Sequence, residues 1–369
     1  MCEGPAVEMK IVADENMPLV QELFGSFATV VTVAGRKINK EHLLDADVLL
    51  VRSVTQVNQD LLQGTKVRFV GSATIGTDHI DQGYLLEQGI EFAYAPGCNA
   101  QAVAEYVLAA IAFWADHKQK DLRQCTVGII GAGNVGSKVA QILELLGIEY
   151  LLNDPPLEEQ GDSRQFVPIQ AIQQCDIVTC HVPLTNRGLH ASHHLIDEKF
   201  LSVMQPGGLL INSSRGAVVD NTAALHCKQA GKDIDFVLDV WENEPDLNVE
   251  LFKQSLISTP HIAGYSQEGK IRGTYQLYQS VCQWLGMVPK FALRDLLPEA
   301  PKWNPPVKLS SDTGFLYQSL RSFYDIKSDD QQMRQKLEEV LRRSGATIAE
   351  EFDNLRKNYP QRLEFLELS

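Results

Sequence analysis

Residues 126–154, TVGIIGAGNVGSKVAQILELLGIEYLLND, decide how the chain folds. Thr126–Ile130 is a short, apolar, β-branched run, the composition of a parallel strand buried on both faces. Gly131-Ala132-Gly133-Asn134-Val135-Gly136 follows without a break. Val139, Ile142, Leu143 and Leu146 then recur at helical spacing, and Gly147 marks the C-terminal stop. Ile148–Leu152 reads as a second strand, with Asp154 just past its end.

Each part suits a phosphate-bearing ligand. Gly131 permits a tight turn, Gly133 lets a pyrophosphate approach bare backbone, and Gly136 lets helix pack closely on strand. The N–H groups at Asn134 and Val135 open the helix, whose positive end attracts phosphate. Asp154, at the expected spacing of roughly 20 residues, can accept hydrogen bonds from a ribose. A glycine-rich turn alone is more often structural, but strand, loop, helix, strand and acid in this order favour a dinucleotide site. A carboxylate at Asp154 repels a 2′-phosphate and Pro155-Pro156 bring no arginine, so NAD is expected rather than NADP.

Working outward, the 369 residues are enough for two or three domains. A net charge of −14 argues against nucleic acid or an anionic membrane as partner, and any anionic substrate needs a locally basic site. The 7 cysteines are scattered without paired zinc spacing and read as reduced thiols of a cytoplasmic protein. No apolar run approaches transmembrane length. Met1–Glu8 reads as a loose polar tail, with Met9 an alternative start.

Residues 9–100 alternate short strands (Ile11–Ala13, Thr29–Val33, Val48–Val51, Val67–Val70) with short helices (Met17–Phe24, Asn58–Leu62), the pattern of a parallel α/β sheet. Ligands in such sheets bind beyond the carboxyl ends of strands, which points to Arg52-Ser53 and to residues 71–76. A long apolar helix, Ala102–Trp114, leads into the dinucleotide unit, and Ile177–His181, Gly208–Asn212 and Phe236–Val240 supply further strands. Gln267–Leu285 is amphipathic and could return to the first domain. Prolines at 289, 298, 301, 305 and 306 mark a linker. The helical tail beyond it carries no evident chemistry, and Leu316, Leu320, Phe323, Tyr324, Leu337, Leu341 and Ile348 would give it a core of its own.

Three segments hold residues suited to oxidising a 2-hydroxy acid: Asn212–Gly216, Asp239–Pro245 and Thr259–Gly264. The reaction needs a base for the hydroxyl proton, and a histidine suits that role. A carboxylate on the far ring nitrogen fixes its tautomer and stabilises imidazolium. An arginine grips the substrate carboxylate in bidentate fashion. Singly, Arg215 or Glu244 is more often a surface ion-pair residue and His261 a loop residue; their common position after predicted strands makes convergence the better reading.

The glycine unit followed by SSRG, DVWENEP and PHIAG resembles the D-isomer-specific 2-hydroxyacid dehydrogenases. The resemblance implies Arg215 for substrate binding, Glu244 as the histidine's partner, His261 as acid/base and Asp239 beside a nicotinamide. Cofactor contacts are then expected at Gly131, Gly133, Asn134, Val135, Gly136, Asp154, Val182, Ser213, Ser214, Asp239 and Gly264. MKIVADENMP, VRSVTQVN, GTDHID, APGCNA and FDNLRKNYPQR are similar to one branch of that family, which acts on a phosphorylated 2-hydroxy acid and forms homodimers through its C-terminal domain. That branch's substrate positions fall on Ser53, Thr74 and Tyr265. Arg52 is the nearest cation for the phosphate, with Lys270 and Arg272 weaker because a helix would turn them to solvent.

The expected architecture is a Rossmann-type doubly wound cofactor domain (101–266), a flavodoxin-like substrate domain (9–100 with 267–288) and a small α+β C-terminal domain for dimerisation (289–369). No His/Cys/Asp cluster has metal-ligand spacing, so no metal is expected. His79 reads as a turn cap, His193-His194 as an exposed approach to a helix, and His181 as a backbone contact. Another substrate such as 3-phosphoglycerate or glyoxylate, or a non-catalytic NAD-sensing protein, would use the same framework.

Overall fold

The computed structural model describes residues 9–306, 309–310, 312–342 and 347–366; the tail expected at Met1–Glu8 lies outside them. The chain divides into two compact units, Met1–Asn99 with Ser266–Glu299, and Ala100–Tyr265 with Ala300–Ser369.

In the first unit, β1 (Met9–Asp14), β2 (Ala28–Val33), β3 (Val48–Val51), β4 (Phe69–Ser72) and β5 (Glu91–Tyr94) form a parallel sheet in the order β2-β1-β3-β4-β5. This is the flavodoxin-like order. Every residue of β3 and β4 is buried, as apolar strands covered on both faces must be. One face packs Ile11, Val48, Leu50 and Phe69 against the helix Gln267–Trp284 through Leu277, Tyr278 and Val281. The other face carries a second cluster around Val12, Leu49, Val51 and Val70. Four of the five strands fall where apolar runs predict them. The fifth, β5, pairs only with β4 at the sheet edge and reads EFAY, too polar to show as a buried run.

In the second unit, β6 (Thr126–Ile130), β7 (Glu149–Asn153), β8 (Ile177–Cys180), β9 (Gly208–Asn212), β10 (Ile234–Leu238) and β11 (Ile257–Ser258) are parallel in the order β11-β10-β9-β8-β6-β7. Phe166 adds a single parallel bridge to Leu152 outside β7. That is the place of the third strand in the doubly wound order 3-2-1-4-5-6. The topological switch therefore lies between β6 and β8, above which the glycine loop sits. β10 begins and ends two residues earlier than Phe236–Val240, because Asp239 leaves the strand to hold the turn at 259–263.

The helix Ala100–Lys118 is buried along most of its length against this sheet. The C-terminal segment closes over its other side. Its helices are Phe315–Leu320, Ile326–Arg342 and Ile348–Lys357, with no strand among the described residues, so the α+β composition expected for it is corrected to helical. It does not build a core of its own either. Leu316, Leu320 and Tyr324 join the cluster of the Ala100–Lys118 helix, Met333, Leu337 and Phe352 join the cluster around Phe252, and Leu341 is 48% exposed. Among the described residues no helix is long and apolar enough to cross a membrane.

A buried carboxyl ties the segment down. Glu105 Oε1 accepts from Phe365 N at 2.9 Å, Leu366 N at 2.8 Å and Gln101 Nε2 at 3.0 Å. Burial pushes the Glu105 carboxyl up from 4.5 to about 7, against those donors and the charge of Arg362. A raised folded value means that its contribution is full below about 4.5 and is lost as the pH rises through about 7. Glu105→Gln keeps the acceptor without the charge. Thermal unfolding should show the variant gaining a few degrees over the parent at pH 8, with little gain at pH 5; equal gains at both would mean that Glu105 does not titrate in this range.

Candidate active site

The glycine loop follows directly from the switch point. Gly131 has φ 89°, and a Cβ there would lie 2.7 Å from the His181 carbonyl and 2.9 Å from Val182 Cγ1. A Cβ on Gly136 would collide with the Gly131 carbonyl oxygen, so the helix Asn134–Leu146 can seat on the loop only with glycine there. A Cβ on Gly133 would meet nothing within 4 Å. Space therefore lies open over the first turn of that helix, where the N–H groups of Asn134 and Val135 lack partners from the helix itself.

Asp154 borders the same loop. Its Oδ2 accepts from Ala132 N at 2.8 Å and its Oδ1 from Leu157 N at 3.1 Å, so it caps the next short helix and stays within reach of the loop. A cation that sequence reading missed lies alongside. Arg164 donates through Nη1 to the Ala132 carbonyl at 2.9 Å and to Ser137 Oγ at 2.8 Å. Asp162 holds its other edge, with Nη2 to Oδ2 at 2.7 Å, and that guanidinium draws the Asp162 carboxyl down to about 2. Ten residues beyond Asp154, in a polar turn, nothing local distinguishes Arg164 from a surface arginine.

The acid/base candidates are assembled by loops after β9, β10 and β11. Asn212, at the end of β9, donates to the Arg215 carbonyl at 2.9 Å and accepts from Ser214 N at 3.1 Å and Ser214 Oγ at 2.8 Å. A Cβ on Gly216 would overlap the Trp241 carbonyl, so the two loops touch and Arg215 stands next to the Trp241–Glu244 turn. Asp239 is buried and binds Thr259 Oγ1 at 2.7 Å, Ile262 N at 2.8 Å and Ala263 N at 3.0 Å. Trp241 Nε1 donates to the Thr259 carbonyl at 3.1 Å.

His261, at φ 56°, heads this turn, and its Nδ1 hydrogen-bonds Glu244 Oε1. The other Glu244 oxygen accepts from Trp241 N at 3.0 Å. Burial opposes charge on Glu244, but His261, the Trp241 N–H and the Arg356 guanidinium together hold its carboxyl below the ordinary value. With Nδ1 committed, Nε2 is the ring nitrogen left to exchange a proton with a ligand. Two buried polar atoms near these loops lack protein partners, Ser213 Oγ and His181 Nδ1. Burial pushes the His181 ring down to about 3, so it stays neutral.

In the second unit, then, the structure gathers Gly131, Gly133, Asn134, Val135, Gly136, Asp154, Val182, Ser213, Ser214, Arg215, Asp239, Glu244, His261, Gly264 and Tyr265 at the carboxyl ends of its strands or in the loops that follow. Ser53 and Thr74 belong to the first unit, after β3 and β4. Ser53 is exposed, while the Thr74 hydroxyl binds the Gly76 carbonyl at 3.0 Å and Ser72 Oγ at 2.7 Å. His79 Nε2 meets the same Ser72 hydroxyl at 3.0 Å, so it is a buried loop brace.

One sequence expectation needs correction. Lys270 is half-buried rather than turned to solvent; burial, then the nearby charge of Arg52, lowers its ammonium below the ordinary value. His193-His194, read as an exposed approach to a helix, lie in the turn that precedes the helix Glu198–Val203, with His193 exposed. Their rings stack at 4.0 Å, and with Glu242 they form a group whose ligand atoms lie within 4.8 Å, which linear spacing could not reveal. His194 Nε2 sits 2.7 Å from Glu242 Oε1, a hydrogen-bond separation. Two ligands of a tetrahedral zinc ion would stand about 3.3 Å apart.

Comparison with known proteins agrees with this construction. Residues 104–263 match the family model described as D-isomer specific 2-hydroxyacid dehydrogenase, NAD binding domain, and residues 296–369 match a domain of unknown function. The erythronate-4-phosphate dehydrogenase of Tolumonas auensis is 46% identical over 358 residues, covering 97% of this chain and 94% of its own. That of Edwardsiella ictaluri is 47% identical, covering 98% and 94%. Among solved structures, the D-lactate dehydrogenase of Aquifex aeolicus complexed with NAD and lactic acid superimposes with a TM-score of 0.64 at 24% identity, over 75% of this chain and 95% of its own, a likeness of fold. With relatives so similar along nearly the whole length, the chain belongs to the D-isomer-specific 2-hydroxyacid dehydrogenases, a family of nicotinamide-dependent oxidoreductases, and within it to the erythronate-4-phosphate dehydrogenase branch.

Proposed function

We propose that this chain oxidises 4-phospho-D-erythronate with NAD to 3-hydroxy-2-oxo-4-phosphooxybutanoate, a step of pyridoxal phosphate synthesis. The observation that carries the chemistry is the Glu244–His261 hydrogen bond on a turn next to Arg215. Arg215 binds the substrate carboxylate. His261 Nε2 takes the proton of the C2 hydroxyl as the C2–H bond breaks, and Glu244 stabilises the imidazolium that forms. Bound over Gly133 and the first turn of the Asn134–Leu146 helix, with Asp154 at its ribose and Ser213 and His181 offering polar atoms, NAD supplies the acceptor for the hydride.

For a phosphate, the first unit taken by itself offers two cations. Arg52 and Lys270, two cations of an acidic chain, stand close enough for one to affect the other, and a dianion beside them relieves that repulsion. Ser53, Thr74 and Tyr265 complete the substrate contacts by resemblance. We further infer a homodimer formed through the C-terminal segment, acting in the cytoplasm without nucleic acid or membrane as partner. The absence of any disulfide among the described residues fits a reducing compartment.

Three measurements test this reading. Wild type should prefer 4-phosphoerythronate to erythronate, and Arg52→Ala and Lys270→Ala should each lower kcat/KM for the phosphorylated substrate roughly ten- to a hundred-fold, the worth of a charge-assisted hydrogen bond. Equal use of both substrates would instead favour an unphosphorylated hydroxy acid. His261→Ala should cost ~10²–10⁴-fold in kcat. In the same assay, Glu244→Gln should move the acidic limb of the oxidation profile downward, because the imidazolium loses its anionic partner. Asp154→Ala should weaken NAD binding and relax discrimination against NADP, since the carboxylate that repels a 2′-phosphate is removed. Parity of NAD and NADP in the wild type would remove Asp154 from this role.

A further inference from the structure

The glycine loop is fastened in part by a side chain from the segment between β7 and β8. Gly131 N donates to the Asn153 carbonyl at 2.8 Å, and Ser137 N to the Gly133 carbonyl at 2.9 Å, so the neighbouring strand and the helix hold the two ends. The Ala132 residue between them is held by side chains. Its N–H donates to Asp154 Oδ2 at 2.8 Å. Its carbonyl accepts from Ser137 Oγ at 2.8 Å and from Arg164 Nη1 at 2.9 Å, and the same Nη1 donates to Ser137 Oγ at 2.8 Å.

The guanidinium is itself fixed. Nε and Nη2 donate to the two Asp162 oxygens at 2.9 and 2.7 Å, a bidentate pair of defined direction. Its central carbon lies 5.6 Å over the Phe166 ring, and Phe166 is bridged to Leu152. Nη1 is thereby aimed at the loop. What it meets there has little stiffness of its own. Gly131, at φ 89°, and Gly133 flank Ala132, and glycine turns about its backbone bonds at small steric cost. In a planar trans peptide the C=O and N–H point to opposite sides, so the direction of the Ala132 carbonyl also sets that of the Gly133 N–H. Held toward Arg164, the carbonyl turns that N–H away from it. Released, the peptide can rotate and present an oxygen where a phosphate needs a donor.

We propose that Arg164 is a positioning residue for the cofactor, holding the Ala132 carbonyl back so that the Gly133 N–H and the first turn of the Asn134–Leu146 helix face the pyrophosphate. The inference rests on the reading of the glycine loop as the NAD site. Asp162 neutralises the guanidinium, so Arg164 acts through the direction it gives the peptide more than through its charge. It lies in the loop's support and not among the groups around His261, so its effect falls on cofactor affinity and not on the hydride step.

The test is the dissociation constant of NADH, read by its fluorescence on the full chain, in wild type, Arg164→Met and Arg164→Lys, with kcat at saturating NAD and thermal unfolding of each. A loop that is competent about one-tenth of the time binds about ten-fold more weakly. That loss is expected for Arg164→Met, without a fall in kcat. Lysine, which still offers a charged donor to the Ala132 carbonyl, should recover part of it. If methionine prevents folding, Arg164→Gln carries the same comparison, since it cannot hold Asp162 and the loop together. An unchanged dissociation constant overturns the role of Arg164, even if the variant unfolds at a lower temperature. So does a fall in kcat as large as the loss of affinity, or a lysine variant no better than methionine. Failure of the wild type to bind NADH would overturn the reading of the glycine loop, and this inference with it.

Discussion

The carboxylate of Asp239 holds the turn on which everything chemical in the second unit depends. Its two oxygens take one hydroxyl and two backbone N–H groups from residues 259–263, all out of solvent. A buried charge is tolerated only when donors satisfy it, and here the donors belong to the segment that must be fixed. The Asp239 carbonyl adds a bond from His261 N at 2.7 Å. With the backbone pinned on both sides, His261 can occupy a left-handed conformation that a side chain adopts at a cost, and that conformation turns its Nδ1 onto Glu244.

Much of this was legible along the chain. The glycine loop, its flanking strands and Asp154 are local features with a fixed spacing, and fully buried parallel strands announce themselves as apolar runs. Arg215, Glu244 and His261 could be grouped because each follows a strand, and parallel sheets gather their strand ends.

What escaped the reading is non-local. β5 pairs at one edge only, so half its residues face outward and its composition resembles a loop. Lys270 occupies a helix whose outward face could not be told from its inward one without knowing where Arg52 lies. Arg164 and the His193-His194-Glu242 group have no periodicity that points at their partners. The largest omission, the tail, reads as charge-laced amphipathic helix. Its apolar residues are spread between two existing cores, and its charged residues Asp330 and Arg362 are buried, against the usual expectation for such groups.

The bond from Arg362 to the Ala263 carbonyl joins residues 99 apart in the chain, and that to Ala102 joins residues 260 apart. Loops of this length close late, after the local α/β units have formed. During synthesis the cofactor sheet can collapse while the last helices are still inside the ribosome. The turn bearing His261 then waits for its outer support until Arg362 has emerged. Any ligand that binds the glycine loop earlier meets a scaffold whose turn at 259–263 still lacks that outer support.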